Sequence, residues 1–121
     1  MCSSDLHVLD RWPVLATNEL IRDVTAALDD FDTQKAGALL AGFVDDLSNW
    51  YVRRSRRRFW AGEAGALATL HETLDVVTRL MAPIMPFVTE RVWQDLFATT
   101  DADGPESVHL ASWPEIGRAH V

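Results

Sequence analysis

Hydrophobic positions recur at helical spacing along most of this chain. Trp12, Leu15, Ala16, Leu20, Val24, Ala27 and Leu28 fall on one face of a 3.6-residue repeat, and the Asp29-Asp30-Phe31-Asp32 cluster ends it. Pro13 suits the first turn of that helix, where no backbone N–H partner is lost. A second stripe, Ala36, Leu40, Phe43, Val44, Leu47, Trp50 and Tyr51, starts after Asp32 or Thr33, either of which can cap it, and runs on into a block of arginines. Gly37 and Gly42 within it either cost helix propensity, about 1 kcal/mol each against alanine, or mark close helix packing.

The stretch Ala61-Gly62-Glu63-Ala64-Gly65 is a break. Beyond it Leu67, Leu70, Leu74, Val77, Leu80 and Met81 predict a third helix, with Glu72, Asp75 and Arg79 on its other faces. Pro83 and Pro86 punctuate the next turn, and Pro86 fits the opening of a fourth helix carrying Phe87, Val88, Val92, Leu96 and Phe97. The polar run from Thr99 to Ser107 is a loop, and Val108 to Pro114 is short and partly alternating, either extended or a lone strand. The expected fold is all-α: an antiparallel helical bundle of about four helices with a short extended C-terminal segment.

The two ends change what counts as protein. Ile116 to Val121 can be encoded by ATC GGA AGA GCA CAC GTC, and the reverse complement of that string, read from its GTG, encodes Met1-Cys2-Ser3-Ser4-Asp5. Such symmetry is expected of a ligated sequencing adaptor translated in frame, and scars of this kind are set aside before fold reasoning. The chain then divides into scar at 1–6 and 116–121, a helical domain at 7–98, and a loop with an extended segment at 99–115. An internal fragment of a longer protein is expected.

Composition narrows the function. One hundred and twenty-one residues, 48% of them hydrophobic, can bury a single core and leave no room for separate substrate and cofactor domains. No apolar run approaches the roughly 18 to 20 residues that span a bilayer, so a cytoplasmic chain without a membrane partner is expected. Cys2 stands alone, and His7, His71, His109 and His120 are scattered, so no metal site is expected. Asp29-Asp30 and Asp45-Asp46 supply paired carboxylates without a nucleophile or oxyanion donor, His71 is more simply a surface histidine, and Trp93 sits at a core edge. No catalytic residue is assigned.

The charge, by contrast, is informative. The chain carries a net charge of −7, yet Arg53, Arg54, Arg56, Arg57 and Arg58 place five of its eleven basic residues within six positions, bracketed by aromatics. Positive charge this local implies a local contact with a polyanion. At about 100° per residue, a helix continued from Ala36, Phe43, Leu47 and Tyr51 puts Arg54 and Arg58 on the core line, where their stems pack on the bundle and their heads pair with acids. Trp50 and Tyr51 are likewise expected in the core. Arg53 and Arg57 lie on the flank and Arg56 points away from the core; these three are the nucleic-acid candidates. Phe59 and Trp60 either offer a stacking platform to an unpaired base or cap the bundle.

With those residues in view, the chain resembles the anticodon-binding helical domain of class I aminoacyl-tRNA synthetases, the isoleucyl-tRNA synthetase family in particular. The resemblance is carried by Asp29 to Thr33, by Asn49-Trp50-Tyr51-Val52-Arg53-Arg54-Ser55-Arg56-Arg57-Arg58-Phe59-Trp60, by Leu80-Met81-Ala82-Pro83-Ile84-Met85-Pro86-Phe87, by Glu90-Arg91-Val92-Trp93 and by Ser107 to Pro114. The arginine string is specific to the isoleucyl enzymes; the proline-rich turn and the Trp93 helix are shared with valyl, leucyl and methionyl relatives. The resemblance implies a segment that docks the anticodon stem-loop of tRNA(Ile) and packs in cis on a catalytic domain. It implies ATP and Mg as cofactors of a full-length isoleucine-tRNA ligase and none in this chain, which lacks the catalytic signatures and is expected to be inactive alone. The alternatives are a structural bundle packed on the catalytic domain without RNA contact, and the same domain from a valyl or leucyl relative.

Overall fold

The structure is a computed structural model and describes residues 8–99 and 104–115; the two segments read as adaptor-encoded lie outside the described residues. A 3-10 turn at Val8–Asp10 leads into α1 (Arg11–Asp29), with Pro13 in the first turn. The end of α1 is closed by two bonds: the Asp32 N–H donates to the Ala27 carbonyl (2.8 Å) and the Phe31 N–H to the Leu28 carbonyl (3.0 Å). This closure puts Phe31 in the left-handed region at φ 59°, a conformation usually left to glycine.

Asp32, of the two cap candidates, starts α2 (Thr33–Asp46) by accepting the Lys35 N–H at 3.0 Å. The backbone then loosens into a π-helical segment at Leu47–Val52, bends at Ser55 (φ −100°, ψ 8°) and resumes as α3 (Arg56–Trp60). The arginine block is therefore not the smooth end of one helix. After a turn at 61–63 come α4 (Ala64–Met81) and α5 (Pro86–Trp93), the latter opening on Pro86 and continuing as a second π-helical segment, Gln94–Ala98.

Leu20, Val24, Leu40, Leu47, Tyr51 and Leu80 form the centre of the core between α1, α2 and α4. A smaller cluster of Ala82, Trp93, Phe97 and Val108 seats α5 on α4, and Leu74 touches both. Two sides of α4 are thus packed. Five threonines sit in these interfaces at positions where a polar residue usually signals solvent: Thr17, Thr69, Thr73, Thr78 and Thr89. Each hydroxyl donates to the carbonyl four residues earlier, at 2.6 to 2.9 Å, so burial leaves no donor unpaired.

Three expectations are corrected here. Phe87 and Val88 are exposed, at 89% and 54%, because Thr89, Trp93 and Phe97 take the inward face of the last helix. Residues Val108–Leu110 form a 3-10 turn, and extended backbone begins only at Ala111 (φ −74°, ψ 150°). Gly37 and Gly42 do not mark close packing, since a methyl group at either would meet nothing within 4 Å.

The C-terminal segment is pinned by Glu90. One carboxylate oxygen accepts the Ser107 hydroxyl (2.8 Å) and the Val108 N–H (3.0 Å), and the other accepts the Gln94 amide (3.2 Å). Burial alone would raise the Glu90 pKa, but the hydrogen bonds from Ser107, Val108 and Gln94 outweigh it and hold the carboxyl below its ordinary value.

Two outcomes follow for stability. Gly42→Ala should raise the unfolding free energy by up to about 1 kcal/mol in urea titration, by relieving a helical glycine at an open position. Glu90 is charged more readily folded than unfolded, so its contribution is complete at neutral pH and is lost as pH falls through the lowered folded value. Thermal melts of Glu90→Gln across the acid range should accordingly lose less stability on acidification than the parent chain.

Candidate nucleic-acid interface

The block from Asn49 to Trp60 owes its geometry to the π-helical segment. In an α-helix, positions four apart drift by about 40°, so an apolar line of that spacing turns off the core within two or three turns. Underwinding at Leu47–Val52 cancels the drift, and Phe43, Leu47, Tyr51 and Ser55, successively four apart, are all buried. Ser55 takes the inward position predicted for Arg54. Three residues later Arg58 also faces inward.

Arg58 is held by a buried acid from the turn that precedes α1. Asp10, 1% exposed, receives Nη1 of Arg58 on Oδ1 (2.8 Å) and Nη2 on Oδ2 (2.7 Å), a two-pronged contact. Oδ1 also accepts the Tyr51 hydroxyl at 2.6 Å. On its other side Arg58 donates from Nε to Glu63 Oε2 (3.0 Å) and from Nη2 to Oε1 (2.9 Å). Gly62, at φ 71°, lets the chain turn back after α3 so that Glu63 reaches it. Hydrogen bonding to Asp10, then to Glu63, raises the Arg58 pKa further above its already high value. Burial, reinforced by Asp10, raises that of the Tyr51 phenol.

Around this anchor the remaining arginines sort by exposure. Arg53, Arg56 and Arg57 all face solvent, and among the described residues none of them forms an ion pair. Trp60 is 86% exposed at the end of α3, whereas Phe59 turns inward and meets the Tyr51 ring edge-on at 6.0 Å. Of the two readings open for this aromatic pair, Phe59 serves the bundle and Trp60 does not. Tyr51 is fully buried; Trp50 is at the rim, 37% exposed, packed against Trp12 at 5.3 Å.

Arg54 departs from its expected place. It is exposed, with its guanidinium 5.4 Å from the centre of the Trp50 ring, rather than packed on the core. The displacement by Ser55 is the physical reason. Asp10 was missed in the sequence, where nothing marks one acid in a chain of eighteen as the partner of an arginine 48 positions away.

An array of forked cations beside an exposed indole suits phosphate and unpaired bases. Among the described residues no group of three or more His, Cys, Asp or Glu side chains could hold a metal ion, and no helix is long and apolar enough to cross a membrane. A hollow of about 390 Å³ beside α4 is lined by Glu72, Asp75, Arg79, Trp113 and Glu115, and its acids make it a poor seat for a polyanion.

Residues 10–120 match the family model described as the anticodon-binding domain of tRNA ligase. The chain is similar to isoleucine-tRNA ligases: 72% identical over 111 residues to that of Cutibacterium acnes, covering 92% of this chain and 10% of the relative. For Streptomyces avermitilis the identity is 63% over 112 residues, covering 93% and 11%, and for Thermobifida fusca 57% over 122 residues, covering 97% and 11%. The chain thus spans about a tenth of the length of these relatives.

Asp10→Ala leaves the Arg58 charge buried with only Glu63 to meet it. The expected cost is about 3 kcal/mol of unfolding free energy. Urea denaturation followed by tryptophan fluorescence measures it, and Tyr51→Phe, which spares the two-pronged pair, should cost much less.

Proposed function

This chain belongs to the anticodon-binding domain family of the tRNA ligases, and from that premise we propose that it is the part of an isoleucine-tRNA ligase that grips the anticodon stem-loop of tRNA(Ile). The full-length ligase would attach isoleucine to that tRNA in the cytoplasm with ATP and Mg. This segment supplies binding and orientation, packs in cis on the catalytic domain, and does no chemistry of its own.

The observation that carries the proposal is the set Arg53, Arg56 and Arg57, solvent-facing and free of ion pairs among the described residues, on a chain of net charge −7. A cation already paired with a carboxylate must break that pair to meet phosphate; these three need not. Trp60 sits at the end of the short helix that carries Arg56 and Arg57, where its indole can stack on a base of the loop. Arg58 and Asp10 hold that helix in place and are committed to each other, so they support the contact without making it.

Three phosphates neutralised on single-stranded RNA give a slope of about −2 in log K against log salt, roughly −0.7 for each. Fluorescence anisotropy with a tRNA(Ile) anticodon stem-loop, across a salt series, should yield that slope for the chain. The joint change Arg53→Ala, Arg56→Ala, Arg57→Ala should flatten it towards zero and weaken binding at every salt concentration, with the urea midpoint unchanged. Unaltered affinity and slope would overturn the assignment. A lost urea midpoint would instead make these arginines part of the fold.

A further inference from the structure

Trp12 lies between the core and the arginine block. Its ring stacks on buried Phe43, centroids 5.8 Å apart and planes within 7°, and its other contacts are Tyr51 at 6.3 Å and Trp50 at 5.3 Å. Trp50 in turn carries the Arg54 guanidinium at 5.4 Å. Phe43, Trp12, Trp50 and Arg54 therefore form a continuous ladder of flat groups from the centre of the bundle to solvent. Such a ladder is rigid where a lone surface arginine is not: its first rung, Phe43, lies in the core, its second, Trp12, packs against it, and the last gains roughly 0.5 to 1 kcal/mol from the indole.

We propose that the Arg54 guanidinium, backed by Trp50, is a stacking seat for an unpaired nucleobase, a fourth nucleic-acid contact of a different kind from the phosphate contacts of Arg53, Arg56 and Arg57. The inference rests on the RNA-binding reading above and assigns it a new element. The indole lies against the cation, whose central carbon stands 5.4 Å from the ring centroid. The residue is otherwise exposed, and among the described residues Arg54 forms no ion pair that would claim it. A base laid on the solvent side of the guanidinium would complete an indole–guanidinium–base sandwich, and pre-alignment by Trp50 lowers the entropy lost on binding. The same surface could meet a carboxylate of another protein segment, but a flat cation backed by an indole favours a flat partner, and its in-sequence neighbours Arg53, Arg56 and Arg57 favour a polyanion.

Arg54→Lys separates stacking from charge, because lysine keeps the positive charge and loses the plane. Binding of the chain to a tRNA(Ile) anticodon stem-loop carrying 2-aminopurine at single loop positions is measured across a salt series. Expected for Arg54→Lys is an affinity at least fivefold weaker at every salt concentration, an unchanged salt slope, and loss of the quenching that one loop position shows with the parent chain. Affinity within twofold of the parent would overturn the proposal: with a slope lowered by about 0.7 in Arg54→Ala it would make Arg54 a phosphate contact, and with neither variant affected it would leave the ladder to a protein partner or to water. The triple alanine change at Arg53, Arg56 and Arg57 is run alongside. If it abolishes binding while Arg54→Lys is silent, only the stacking seat fails; if it too is silent, the RNA-binding reading fails with it.

Discussion

The contact between Asp10 and Arg58 governs the geometry of this molecule. It joins the turn before the first long helix to a five-residue helix in the middle of the chain, across 48 positions of sequence. A helix that short has no independent stability, and none of its residues is buried in the sense that Leu40 or Leu80 is. Two inward side chains fix it: Phe59, edge-on to Tyr51, and Arg58, met on one side by the buried carboxylate of Asp10 and on the other by Glu63. Burial of such a pair is costly in itself, and it is tolerated because each carboxylate oxygen of Asp10 and each prong of Arg58 has a partner. The neighbouring exposed arginines take their direction from that fixed point.

The aromatic groups solve a related problem. Long flexible cations on a surface lose much freedom when they bind, and an RNA contact made of such groups alone would be weak and poorly aimed. Here Tyr51, Phe59 and Trp12 tie the basic segment to the core at three places, while Trp50 carries one guanidinium outward. The same short stretch of sequence therefore contributes both to the hydrophobic centre and to the exposed basic surface, which is why its composition mixes arginine with tryptophan and tyrosine so densely.

Much of this could be read from the residues. The helical repeats around Leu20, Leu40 and Leu80, the first-turn placement of Pro13 and Pro86, and the all-α bundle all follow from apolar spacing and end signals. The match of residues 10–120 to the anticodon-binding domain agrees with the resemblance carried by the string from Asn49 to Trp60. What stayed hidden had identifiable causes. Buried threonines look polar in sequence, yet Thr73 and Thr89 satisfy their hydroxyls within their own helices and so hold core positions that Phe87 and Val88 seemed better suited to fill. The phase of the arginines required knowing that the backbone underwinds before them, which no side-chain pattern announces. Asp10 became visible only when its partner came into view.

The π-helical segment at Leu47–Val52 acts as a counting device. Relative to a regular helix it accommodates one additional residue per turn, and everything after it is rotated accordingly. Which arginine is sequestered and which are presented is thus decided by the number of backbone units between Phe43 and Arg58, not by any property that distinguishes one arginine from the next. Five chemically identical side chains acquire three separate occupations from their place in that count: an ion-paired anchor at Arg58, a cation against the indole at Arg54, and exposed heads at Arg53, Arg56 and Arg57. Substitutions within the block can delete an occupation, but only an insertion or deletion upstream can reassign them.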